Sequence, residues 1–60
     1  RRSLFAFKDI KKNEKLTWKN IISLRPVIGI SSQFYNKVIN KIAKKKIKKE
    51  EPIKWGIIKK

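Results

Sequence analysis

The sequence has no cysteine and no histidine, only two glycines and two prolines, and just four acidic residues in 60. Each shortage excludes something. Without cysteine there can be none of the disulfides that hold many small secreted domains together, and without cysteine or histidine a zinc site lacks its usual ligands. The same absences remove the best nucleophile and the commonest general base. With Gly29 and Gly56 standing alone, there is no glycine-rich phosphate loop. A reduced, cytoplasmic setting is the expectation. No apolar run is long enough to cross a bilayer, and that of RRSLFAFKDI is broken too soon by Lys8 and Asp9 for a signal peptide. A 60-residue chain buries only about 60% of the surface it exposes when unfolded, so there is room for one core. Residues 1–60 are therefore expected to be a single domain taken from a longer protein.

What the sequence does have is positive charge. Eighteen basic residues against four acidic ones give a formal charge of +14, enough to draw any polyanion. The lysines are spread along the whole chain, whereas arginine, the residue favoured for base readout and bidentate phosphate contacts, occurs only at positions 1, 2 and 25. A solvated lysine coat is the favoured reading and no specific nucleic-acid partner is expected; a basic polyanion-binding module stays as the alternative function.

The chain also repeats itself. Sliding Ile10 onto Ile47 lays IKKNEKLTW over IKKEEPIKW, so that Glu14 meets Glu51, Leu16 meets Ile53, and Trp18 meets Trp55, the only two tryptophans. The match extends outward to Ala6 over Ala43 and Ile21 over Ile58. Two copies of one supersecondary unit, related by a pseudo-twofold axis, are implied. Alternation through Ala6, Lys8 and Ile10, and again through Glu14, Leu16 and Trp18, predicts short strands on either side of a polar turn. Asn13 suits the left-handed position of a tight reversal there, and its equivalent Glu50 suits it less well. Phe5 and Phe7 lie opposite Ala6, predicting a first strand covered on both faces. Pro52 belongs at an edge or bulge.

Between the copies, Phe34, Val38, Ile39 and Ile42 share a helical stripe, predicting a short helix with Ser31 or Ser32 as N-cap. Thr17 to Ile22 has the spacing of a further helical turn. RPVIGIS has no period. Pro26 fixes its own φ and presses Arg25 toward extended geometry, and Gly29 permits a bend, so a stiff loop is expected. The predicted class is a small, mostly β domain of short strands and single helical turns.

Catalytic chemistry is hard to assemble from these residues. Ser3, Ser23, Ser31 and Ser32 have no partner beyond lysine, and the equivalent placement of Glu14 and Glu51 points to a structural duty, pairing with neighbouring lysines or closing the turn, rather than to an acid/base pair. Trp18 and Trp55, by their symmetry, are expected to pack in a core or interface instead of serving as ligand platforms. Phe34 is expected to pack likewise, with Tyr35 the more exposed. Arg25 is the residue left over. Its five donors in a plane suit a carbonyl, a carboxylate or vicinal hydroxyls; the alternative is a surface arginine whose stem packs on Trp18 or Leu24.

Taken together, RRSL at the start, KDIKKxExLT, RPxxGI, and IKKxxPIxW near the end resemble the C-terminal antifreeze-like domain of the sialic acid synthase (N-acetylneuraminate synthase) family. This SAF-type β-clip fold is also found in type III antifreeze proteins, and the resemblance spans essentially the whole chain. It implies a non-catalytic domain of a longer synthase, in which a TIM barrel joins phosphoenolpyruvate to an N-acetylated, mannosamine-type sugar with a divalent metal (Mn or Mg). This domain would need no cofactor of its own. In a domain-swapped homodimer it would cover the active site of the partner subunit, with Arg25, the arginine of RPxxG, touching the sugar. The family commonly has glycine where this chain has Asn13, Val27 and Asn40, so a different path is expected for the loop at Val27. Lys8, Glu14 and Lys15 would stand on the ice-binding face, and no antifreeze activity is expected.

Overall fold

Leu4 and Ala6 lie two residues apart, so an extended chain turns both to one side, and both are buried. They belong to β1 (Ser3–Ala6), which pairs antiparallel with β2 (Ile21–Leu24). The computed structural model describes residues 1–59. A second antiparallel ladder joins β3 (Ile42–Ala43) to β4 (Ile58–Lys59). Ala6 opposes Ile21 and Ala43 opposes Ile58, the same pair taken once from each copy of the repeat.

The two copies interlock through their backbones. Ile10 and Ile47 exchange both hydrogen bonds, at 2.7 and 2.8 Å, which places the pseudo-twofold axis between two equivalent residues. Around it the bonds come in matched sets. Asn13 N–H donates to the Ala43 carbonyl and Glu50 N–H to that of Ala6, each at 2.8 Å; Ala43 N–H donates to Glu14 and Ala6 N–H to Glu51, each at 2.9 Å. Each turn is thus held by the strand of the other copy. The side chains repeat the device: Glu14 Oε1 accepts the Lys11 N–H and Glu51 Oε1 the Lys48 N–H. These carboxylates close turns, the second of the two structural duties their equivalent placement suggested.

The segments flanking each turn meet as isolated bridges rather than as strands. Ile10 pairs with Ile47, Lys15 with Ile42, and Pro52 with Phe5, because each segment crosses its neighbour briefly before bending away. Pro52 is tolerated for a definite reason. The bonds beside it run from Ala6 N–H to Glu51 and from Ile53 N–H to Leu4, so it occupies a non-hydrogen-bonded position where its missing N–H is not needed.

The core sits between the two ladders, with Leu4, Ile10, Leu16, Val38, Ala43, Ile47 and Ile53 fully enclosed. Each large aliphatic among them contributes about 1.5–3 kcal/mol by leaving water. Phe5 is buried, so β1 is covered on both faces; Phe7, just past its end, is exposed. The predicted helix is shorter than its stripe. A 3-10 turn, Ser32–Phe34, capped by the Ser31 hydroxyl, leads into the single turn α1 (Tyr35–Val38). Ile39 is already extended and Asn40 left-handed, at φ 74°, because Asn40 N–H bonds the Leu16 carbonyl. Ile42 is therefore a strand residue. Tyr35 packs against the core while Phe34 is exposed, reversing the expectation for that pair. Thr17 to Asn20 forms a turn held by bonds to the Thr17 carbonyl, and Ile21 begins β2.

Glu50 adopts φ 72°, matching Asn13 at 73°. The fold imposes the left-handed position on both copies, although Glu gains nothing from it, its side chain being exposed. Glu50→Gly should therefore raise the unfolding free energy by about 0.5–1 kcal/mol, the left-handed strain removed less the entropy that glycine adds to the unfolded chain. A shift of the urea midpoint upward at unchanged m-value checks this; no shift would mean that the turn bears no strain.

Candidate functional site

The segment between the copies is the part of the chain with no symmetry mate, and its shape is set by two buried contacts. Ser3 is completely enclosed; its hydroxyl donates to the Pro26 carbonyl at 2.8 Å and accepts the Ile28 N–H at 3.2 Å. Gly29 supplies the second contact. A Cβ built there would lie 2.2 Å from the Ile53 carbonyl oxygen, and Ile30 N–H donates to that same oxygen at 2.8 Å. Glycine is present here for close approach and not for an unusual φ, since its φ is not positive. Val27 is not left-handed either, so the absence of glycine at that position costs the loop nothing. Ahead of these anchors, where β2 ends, the Arg25–Pro26 peptide is cis. Arg25, Pro26, Val27 and Ile28 all lie on the surface.

Arg25 thus stands between the last pair of the β1–β2 ladder, Ser3 with Leu24, and the Ser3 contact to Pro26, so its backbone is held on either side, which is what a positioning or binding group needs. The other candidates have structural duties. Ser23 and Ser32 hydrogen-bond each other, Ser31 caps the 3-10 turn, and Ser3 holds the loop. Asp9 accepts the Lys49 N–H at 2.8 Å, as Glu14 and Glu51 accept theirs. Asn20, which sequence reasoning did not single out, is buried in the first copy, where its amide bonds the Thr17 N–H, the Lys15 carbonyl and Glu14. Its only signal was a polar residue beside an apolar run. Among the described residues no group of three or more acidic residues could hold a metal ion.

The tryptophans correct an expectation. Trp18 is 73% and Trp55 52% exposed, so neither belongs to the core of this domain: the pattern put them on alternating apolar positions, but each falls on an outer turn beyond the buried Leu16 or Ile53. They head two related grooves. Trp18 lies with Phe7, Lys8, Lys19, Ile21 and Ile22, its ring under the Lys19 ammonium at 5.7 Å; Trp55 lies with Lys41, Lys44, Ile58 and Lys59. Arg25 lines neither. Trp55 also borders a further groove with Ile28, Gly29, Ile30, Ser31, Phe34 and Lys54, and its ring meets Phe34 edge-on at 6.2 Å between centroids. One side of the domain therefore joins the Arg25 loop to an exposed aromatic pair.

Comparison with known proteins gives consistent matches. The family model described as SAF domain matches residues 1–58. The chain is 44% identical over 55 residues to a pseudaminic acid synthase of Campylobacter jejuni, covering 92% of this chain and 16% of that protein. It is 44% identical over 52 residues to a pseudaminic acid synthase of Helicobacter pylori, covering 87% and 15%, and 44% identical over 54 residues to an N,N'-diacetyllegionaminic acid synthase of C. jejuni, covering 90% and 16%. The chain spans roughly one-sixth of the length of these relatives.

The glycine contact yields a test of how the loop is held. Gly29→Ala must push the Ile53 carbonyl away and break its bond to Ile30, with an expected loss of about 2–4 kcal/mol in unfolding free energy. Thermal or urea unfolding measures it, and a variant as stable as the parent would show that the loop is not clamped there.

Proposed function

The chain belongs to the SAF domain family, and on that premise we propose that it is the non-catalytic, substrate-capping domain of a nonulosonic acid synthase. The observation that carries the reading is Arg25. It is the single interior arginine, it stands on the surface, and the loop around it is fixed by the enclosed Ser3 and by the Gly29–Ile53 contact. The backbone that presents this fork of donors is already ordered, so only side-chain freedom is lost when it meets an acceptor.

In this reading the bond-making belongs to a TIM barrel elsewhere in the enzyme, which joins phosphoenolpyruvate to an N-acetylated sugar. A divalent cation, Mn or Mg, belongs to that barrel as well. This domain covers the active site of the partner subunit in a domain-swapped homodimer, in the cytoplasm. There Arg25 donates to an acylamino carbonyl or to hydroxyls of the acceptor. The work it does is orientation and exclusion of water. The two N-acetyl groups in the printed name of one relative favour an acceptor with two acylamino substituents.

The experiment is Arg25→Ala in the full-length enzyme. A lost charge-assisted hydrogen bond should lower kcat/KM for the acceptor sugar by about 10- to 100-fold with the circular dichroism spectrum unchanged, and Arg25→Lys should recover little, since an ammonium cannot supply a planar fork. Wild-type kcat/KM in the alanine variant would remove the proposal. The runner-up, polyanion binding, draws on the lysines that flank Trp55. Titration of the enzyme with nucleic acid over a salt series should show only weak association that disappears near physiological salt; tight binding with a steep salt slope would promote it.

A further inference from the structure

The exposed aromatic pair is not explained by Arg25. Trp55, Phe34 and Ile28 line one groove with Gly29, Ser31 and Lys54, and Ile28 is 55% exposed, with Val27 beside it at 47%. Isolated apolar side chains on a surface are ordinary, but a contiguous set that includes a tryptophan and a phenylalanine marks a contact surface. Among the described residues nothing covers it. The pseudo-twofold provides a comparison within the same molecule, because Trp18 is the equivalent of Trp55 and its groove has no residue from the loop that carries Arg25. Only the Trp55 side is continuous with that loop.

We infer that the Ile28–Phe34–Trp55 face is the surface by which this domain docks on the barrel domain, and that it fits an apolar patch rimmed with carboxylates. The inference rests on the capping reading and names the contact that holds the cap in place. Three observations lead there. Arg25, Val27 and Ile28 are exposed near neighbours on one clamped loop, so a body that receives Arg25 comes up beside Val27 and Ile28. Some five-sixths of each matched synthase lies outside the region aligned with this chain, which provides a covering body. The grooves that meet at Trp55 contain Lys37, Lys41, Lys44, Lys54 and Lys59 and no acidic residue, so the complementary rim must be acidic. Trp55 is the central anchor, held in orientation by the edge of Phe34, and aromatic anchors of this kind account for most of the energy of an interface.

The test uses the full-length synthase and the symmetry mates. Trp55→Asp and Ile28→Asp put a carboxylate on the proposed face, and Trp18→Asp puts one on the equivalent groove. Both substituted positions are exposed, and two variants guard against either one misfolding. Docking predicts that Trp55→Asp and Ile28→Asp lower kcat/KM for the acceptor by at least about tenfold and speed protease cleavage between this domain and the rest of the enzyme, with Trp18→Asp within about twofold of the parent in both. Arg25→Ala separates this claim from the one beneath it, since it should lower kcat/KM without changing the cleavage rate. If Arg25→Ala is silent while Trp55→Asp and Ile28→Asp act as stated, docking stands and the arginine contact fails. If Trp55→Asp and Ile28→Asp keep parental kinetics and cleavage, or if Trp18→Asp matches them, the docking face is overturned whatever Arg25→Ala does. The same holds if Trp55→Asp weakens single-stranded oligonucleotide binding and changes nothing else, which would give the face to a nucleic acid.

Discussion

Ile10 and Ile47 each donate to and accept from the other across the pseudo-twofold axis, and the fold grows outward from that exchange. A 60-residue chain without disulfide or metal has little core to draw on, so it cannot leave buried backbone groups unpaired. Interlocking two copies meets that demand, because each turn finds its partners in the opposite copy, through Asn13 to Ala43 and Glu50 to Ala6, and each carboxylate of the repeat closes its own turn. Among the described residues no buried side-chain polar atom lacks a partner. The fold is small but internally over-determined, and that allows it to hold an irregular loop in one shape.

The loop is where the symmetry ends, and function is expected there. A duplicated unit can present each of its features twice, as it does with the tryptophan grooves, whereas Arg25 has no equivalent. The residues that fix the loop nevertheless come from the symmetric frame: Ser3 from β1, and Ile53 from the second copy. The frame thus acts on the site through backbone oxygens and one hydroxyl, none of which is chemically distinctive. Their task is to remove conformational freedom from a single cation before it meets anything.

Much of this was legible in the sequence, and the failures share a cause. The duplication showed in the register of the two tryptophans and correctly assigned Glu14 and Glu51 to structure. It also carried more information than local preference did: Glu50 is a poor residue for a left-handed position, yet it adopts one because Asn13, its equivalent, does. Local patterning misled where the chain crosses itself. Ile39 and Ile42 completed a helical stripe, but the bond from Asn40 to the Leu16 carbonyl ends the helix early, and no periodicity reveals a partner some two dozen positions away. Gly29 was read as a bend, whereas its role depends on Ile53, a contact that only the folded chain creates. The tryptophans were assigned by their symmetry and alternating positions to a core or an interface, and the first of these fails, since both are exposed on outer turns.

The last failure matters most for how the domain works. Burying an apolar side chain is favourable whichever body supplies the cover, so an exposed tryptophan that cannot fit its own core lends that driving force to association. Lysine does the opposite, keeping the surface it occupies solvated. Under the capping role proposed above, a chain with many lysines and one interior arginine divides its cations into two uses: the flexible ammonium stems set how the domain approaches an acidic surface, and the planar guanidinium of Arg25 determines what it touches on arrival. The arginine accordingly lies between a leucine and a proline on a loop held by Ser3 and Ile53, while most lysines are exposed along the rest of the chain.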